Sequence, residues 1–312
     1  MKPLLNETGE VYLMITHEVL MNAIALLNNG VSLNIVSKTL GVNRTQLSRH
    51  LNTLIKKNLL VKYLNVFIDR LQTPVSIVIG ELKQKATGLR CLLGNPPLII
   101  SYYSYTSRPT IISYVRDDYS GIDARSIAAD ACRIVFYGRI SQVLVPIQVV
   151  QNPRFTLLES SVFIDKDILL DEADEVIALE LFRLFNPCIF GRWRTSDLVG
   201  TLKKSLGARD TYHHFTRHAV ALTRKKYVYK DSGMYSLIFV SSDTLDALAA
   251  LLSQLHESQI LIDVEQANMV STHPFIGIIH AWISLDKLYD YNKGHDLIEG
   301  VSYAIYPVFS VH

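Results

Sequence analysis

The fifteen residues SRHLNTLIKKNLLVK at 48–62 align without a gap on TRHAVALTRKKYVYK at 216–230. Arg49 falls on Arg217, His50 on His218, Leu54 on Leu222, Lys57 on Lys225 and Lys62 on Lys230. Upstream, LGVN at 40–43 answers LGAR at 206–209, two residues out of step, and VPIQV at 145–149 answers YPVFS at 306–310. The common order of these matches points to a duplicated unit, so the chain is expected to be two copies of one smaller architecture.

The first copy opens with a predicted helix over 17–29, with Val19, Ala23, Leu26 and Leu27 on one face and Gly30 at its end. Ser32 can cap a second helix ending near Leu40, and Gly41 supplies the turn. Asn43 can cap a third, on which Leu47, Leu51, Leu54 and Ile55 face inward while Arg44, Thr45, Ser48, Arg49 and Asn52 share the opposite side. Three helices with a glycine turn before a polar, basic third helix is the helix-turn-helix pattern, and LLVKYLNVFI follows as a wing.

The rest of the copy alternates as strand (75–80), helix (81–93) and strands at 98–105 and 110–117. A helix capped by Asp123, with Ile127, Ala131, Ile134 and Val135 as its stripe, then leads to the strand QVLVPIQVV. That βαββαβ order is ferredoxin-like, and Pro146 suits an edge strand. The second copy repeats it: a helix over 173–185, one capped by Thr195 or Ser196, Gly207, a basic helix over 210–224 and a hairpin at Asp231-Ser232-Gly233. A strand, a helix (243–257), two strands, a helix (285–297) and a last strand with Pro307 complete it. The expected fold class is α+β. The expected segments are winged helix-turn-helix 1–70, ferredoxin-like 71–152, linker 153–170, winged helix-turn-helix 171–234 and ferredoxin-like 235–312.

Charge is distributed unevenly. Residues 17–63 carry six Lys/Arg against Glu18, and 192–230 carry ten against Asp197 and Asp210; with the whole chain at only +2, everything else is −11. Two basic islands in an acidic chain suggest two surfaces for a polyanion, although a solvated helix face would carry similar charge. Three widely spaced cysteines (Cys91, Cys132, Cys188) argue against a disulfide framework and a cysteine zinc site. No apolar run is long enough for a membrane span and the first twenty residues lack a signal-peptide pattern, so a cytoplasmic location is expected.

The layout, and the stretch KNLLVKYLNVFIDRLQTPVSIVIGEL at 57–82 in particular, resembles the Lrp/AsnC family of transcription regulators. The resemblance implies dimerisation through ferredoxin-like domains, so a fused tandem would be a built-in pseudo-dimer, open to further homo-oligomerisation. It also implies an effector site at the turns between the second and third sheet strands, where Arg108 and His273 fall. The Gly and Asp usual in that turn are missing from YTSRPTII and VSTHPFIG, which argues against free amino acids as the effector.

The expected partner is double-stranded DNA. Arg44, Thr45, Ser48, Arg49 and Asn52, with His213, Thr216 and Arg217 in the second copy, could reach base edges or phosphates. Lys56, Lys57, Arg224, Lys225 and Lys226, expected at helix ends, suit backbone contacts. His214 and His218 have a spacing that can bind zinc, but no third ligand is suggested nearby, so neither a metal site nor another cofactor is expected. No nucleotide, hydrolase or metalloprotease motif is present, and no catalytic residue is nominated. The alternative is an enzyme on the same scaffold resembling siroheme decarboxylase, drawing on Arg108, Arg116, His273 and His280.

Overall fold

The computed structural model describes residues 4–5, 11–12, 15–57, 59–82, 98–105, 108–117, 132–148, 154–164, 170–184, 199–200, 202–203, 211–229, 233–284, 286–288 and 298–311. A two-residue ladder of β1 (Leu4–Leu5) and β2 (Val11–Tyr12) precedes three helices. Each helix starts at a side-chain cap. Thr16 Oγ1 accepts from the Val19 amide at 3.3 Å before α1 (His17–Asn28), and Ser32 Oγ from Ile35 at 3.4 Å before α2 (Leu33–Thr39). Asn43 Oδ1 accepts from Thr45 and Gln46 at 2.9 and 3.2 Å before α3 (Arg44–Lys56). Gly30 and Gly41, at φ +83° and +62°, take the left-handed conformation that stops α1 and α2.

Leu47, Leu51 and Leu54 of α3 close on Leu20, Ala23, Ile24, Val36 and Val42 in a core of their own. Against expectation, α1 turns Leu20, Ile24 and Asn28 inward and leaves Val19, Leu26 and Leu27 half-buried. The cause is a neighbour from the second half of the chain. Asn28 donates to the Tyr227 carbonyl at 2.8 Å and accepts from its amide at 2.7 Å.

That neighbour is β10 (Thr223–Tyr229), which pairs antiparallel with β3 (Leu60–Val66). The expected first wing is thus half of a ribbon shared between the two halves. Helix α1 packs on β10, and α4 (Glu172–Leu184) packs on β3, so each helical unit rests on the other's strand. Glu175 fastens α4 there by accepting from the Gln72 amide and, at 3.1 and 2.6 Å, from the Thr73 amide and hydroxyl.

The remaining strands form one antiparallel sheet. The first half supplies β4 (Val75–Leu82), β5 (Leu98–Tyr105), β6 (Pro109–Arg116), β7 (Cys132–Arg139), β8 (Gln142–Gln148) and β9 (Phe155–Glu159). The second supplies β11 (Met234–Ser242), β12 (Leu261–Thr272), β13 (Phe275–Ile283) and β14 (Val301–Val311). The order is β7-β4-β6-β5-β14-β11-β13-β12-β8-β9. Each half therefore arranges four strands as fourth, first, third, second. Beyond that, each half sends its last stretch across: residues 308–311 of β14 pair with β5, and residues 142–144 of β8 pair with β12.

This crossing rolls the sheet. Four ladder steps separate β6 from β13, about 19 Å in a flat sheet, yet Tyr114 Oη lies 2.6 Å from His280 Nε2. A Cβ on Gly138 of β7 would overlap Val270 of β12, seven steps away. Consecutive residues bridge the seam: the Ile140 amide donates to the Val75 carbonyl and the Ser141 amide to that of Met269, both at 2.8 Å. Outside the roll, α6 (Leu245–Glu257) buries Leu248, Leu251, Leu252 and Leu255 on Ile238, Val240, Ile279 and Ala281.

Several expectations change. The fourth strand of the first half is β7, in residues read as the end of a helix, because the β-branched and aromatic run at 134–137 pairs with β4. The strand expected in that place, β8, joins the opposite edge, and the presumed linker contributes β9 beside it. VPIQV and YPVFS are out of register by about six residues, since 308–311 rather than 303–305 take the cross-half position of 142–144. The helix expected over 210–224 is only α5 (Thr211–Arg217), followed by a 3-10 turn and β10. Of the helix expected over 81–93, residues 81–82 end β4 instead, and of that expected over 285–297, residues 286–288 are helical; the rest of both, the start of the helix expected from Asp123, the caps Thr195 and Ser196, Gly207, and Asp231-Ser232 lie outside the described residues. Among the described residues no helix is long and apolar enough to cross a membrane.

Candidate nucleic-acid interface

Helix α3 separates its two faces cleanly. While its leucines fill the core, Arg44, Thr45, Arg49, Asn52, Lys56 and Lys57 are exposed, Ser48 is half-exposed, and no acid occurs anywhere on the helix. Arg44, Arg49 and Lys56 on the helix, with Lys57 at its C-cap, give this end of the chain four exposed cations. The ribbon beyond it continues the charge. Burial, helped by the neighbouring Lys225 ammonium, holds Lys62 below the usual lysine range.

In the second half, α5 exposes Tyr212, His213 and Arg217, while Thr216 is half-buried and returns its hydroxyl to the Tyr212 carbonyl at 2.8 Å. Lys225 is exposed, but on β10 rather than at a helix end. Arg224 and Lys226 contradict the sequence expectation. They alternate inward on the same strand, 7% and 4% exposed, and so leave the DNA-facing set. Lys226 Nζ is 2.9 Å from Asp263 Oδ1 and donates also to the Val264 carbonyl at 2.5 Å. The Arg224 guanidinium lies 4.8 Å over the Phe163 ring.

The residues drafted for an effector or an enzyme are dispersed. Arg108 is tied to Glu81 at 2.9 Å, and Glu81 also meets Arg133. His273 lines a 520 Å³ cavity with Asp69, Arg70, Gln142, Glu159 and Thr272. Arg116 ends β6, where it stands opposite Val75 of β4. His280 is buried between the rolled halves. Asn268 Nδ2 donates to Tyr114 Oη at 2.9 Å, which leaves the Tyr114 proton for His280 Nε2. His280 Nδ1 then carries the ring hydrogen and donates to Tyr235 Oη. Gln266 Nε2 closes the chain on Asn268 Oδ1 at 3.0 Å. Burial pushes the imidazole pKa down to about 3 and raises the Tyr114 hydroxyl above its ordinary value, so both groups stay neutral at neutral pH.

One association was missed from sequence. Asp174, in the first turn of α4, accepts from His214 Nδ1 at 3.0 Å and His218 Nδ1 at 2.8 Å, so a carboxylate does stand beside the spaced histidines. Burial alone would raise that carboxyl, but the Asp171 amide and the two imidazoles outweigh it and hold it below the usual range. No local sequence signal joins residues forty positions apart.

No family model matches the chain, and no curated protein matches it in sequence. Two crystal structures of the siroheme decarboxylase NirDL are similar in shape. One has a TM-score of 0.42 and 10% identity over 94% of this chain and 91% of that one. The other, in complex with an iron-uroporphyrin III analogue, has a TM-score of 0.40 and 11% identity over 94% and 92%. A likeness of this size assigns no activity to this chain.

Proposed function

We propose that this chain is a sequence-specific duplex-DNA-binding regulator acting without chemistry, with α3 entering the major groove. The observation that carries the reading is the outward face of α3: two arginines, two lysines, an asparagine and a threonine on a capped helix whose opposite face is fully packed. Arg49 and Asn52 lie in the middle of that face, where arginine suits guanine and asparagine suits adenine by paired hydrogen bonds. Lys56 and Lys57, at its C-terminal end, suit phosphate.

The repeated strand order and the exchanged packing of helices on the shared ribbon support a tandem Lrp/AsnC-like duplication, a pseudo-dimer in one cytoplasmic chain. A second recognition surface on α5, with Tyr212, His213 and Arg217, differs from the first in every side chain but the arginine, so the two half-sites should differ as well. The cavity at His273 is the place for a small-molecule effector on this reading, with Arg108 outside it.

Titration of a fluorescent duplex at low salt tests the proposal. Arg49→Ala should weaken binding to a preferred sequence by roughly 1–3 kcal/mol and relax the preference at one position. Unchanged affinity and preference in that variant would remove α3 from the interface.

A further inference from the structure

We propose that Asp174, His214 and His218 form a binding site for one divalent transition-metal ion, with Zn²⁺ as the cation that fits the donor set best. The site joins two elements that are distant in sequence. Asp174 projects from the first turn of α4. His214 projects from α5, and His218 follows one turn later, its amide still donating to the His214 carbonyl at 3.1 Å. The Asp174 side chain is fully buried, and the imidazoles are 21% and 33% exposed.

One ligand atom from each residue lies within 4.8 Å of the other two. A tetrahedral zinc ion with bonds of about 2.0–2.1 Å spaces its ligand atoms about 3.3 Å apart. The two Nδ1 atoms meet different oxygens of the carboxylate, that of His214 meeting Asp174 Oδ1 at 3.0 Å and that of His218 meeting Oδ2 at 2.8 Å, so an ion between the imidazoles would take either oxygen after a small rotation of the carboxylate. Two neutral imidazoles and one carboxylate carry a single negative charge, which leaves a bound dication with one net positive charge and room for a fourth ligand. Asp171 Oδ2, 3.6 Å from His214 Nδ1, is placed to supply that ligand or to orient a water in its place. A supporting shell is present as well: the Asp171 amide donates to Asp174 Oδ2 at 3.1 Å, and the Asp174 amide to Asp171 Oδ1 at 2.9 Å. His213 is exposed and outside the three-residue group, although its ring centroid lies 6.0 Å from that of His214 and 5.8 Å from that of His218.

The ion would pin a seven-residue helix to α4 and so fix the direction in which Tyr212 and Arg217 point. Its binding does not depend on the DNA reading, and the test involves no DNA. The full-length chain, stripped of metal by a chelator, is dialysed against Zn²⁺ and analysed for bound metal. A parallel sample is loaded with Co²⁺ to read the visible bands of a tetrahedral site. The expected result is one equivalent per chain, a rise in Tm on adding Zn²⁺, and at least a tenfold loss of affinity in His218→Gln and in Asp174→Asn, with His273→Ala unaffected. The glutamine variant can still donate to Asp174, so its circular dichroism should match the parent. Failure of the parent chain to retain zinc would overturn the proposal, as would equal retention in His218→Gln and Asp174→Asn.

Discussion

Lowering the pH from 6.5 toward 3 is expected to cost the folded chain about 1.4 kcal/mol per unit through His280 alone, up to about 5 kcal/mol in total. The folded imidazole, with a pKa of about 3, lies below the unfolded value of 6.5. Between those values the unfolded chain binds the extra proton and the folded chain does not. Stability is therefore complete above 6.5, falls as the pH drops, and levels off near 3. The loss is large beside a typical total of ~5–15 kcal/mol.

The cause is geometric. A protonated ring would need two acceptors, and Nε2 instead receives the Tyr114 hydrogen inside a cluster closed by Asn268 and Gln266. Denaturant unfolding at a series of pH values, for the parent and for His280→Gln, isolates the effect because the carboxylates titrate alike in both. The parent should show the steeper slope between pH 6.5 and 4 even if the variant is less stable at pH 7. Parallel curves would place the imidazole in contact with water and break the account of the rolled sheet.

The second large effect is ionic. If Arg44, Arg49, Lys56 and Lys57 each neutralise a phosphate, log affinity should fall against log salt with a slope of about −3.6. Raising salt from about 50 to about 200 mM would then weaken binding by roughly 10²-fold, before any share from Lys62 and Lys225. Lys57→Ala should flatten the slope by about one unit and weaken all duplexes alike, whereas Arg49→Ala should discriminate between sequences. A slope shallower than about −1 would put the cations of α3 away from the backbone.

The first helical unit was legible because its signals are local. Ser32 and Asn43 cap within three residues, Gly30 and Gly41 mark left-handed turns, and Leu47, Leu51 and Leu54 repeat at helical spacing. What sequence missed was decided by distant partners. The alternation of β8 reads the same whether it borders β4 or β12, so nothing in Val143 and Val145 announces the crossing. Ile127, Ala131, Ile134 and Val135 fit a helical stripe, yet the run at 134–137 has the β-branched and aromatic composition of a strand, which was the signal to weigh. Arg224 and Lys226 read as the basic end of a helix, but the strand they form turns both inward. An aromatic ring and a carboxylate from elsewhere in the chain make their burial tolerable. Asp174 met its histidines only through the packing of α4 against α5.

The central claim, that the outward face of α3 reads duplex DNA, is tested most directly by selecting binders from random duplexes with the full-length chain at physiological salt. The account predicts an enriched sequence with two unlike half-sites about one helical turn apart. It also predicts that the Arg49→Ala variant loses the preference at a position in one half-site only. Enrichment of nothing, with negligible affinity for any duplex even at low salt, would contradict it.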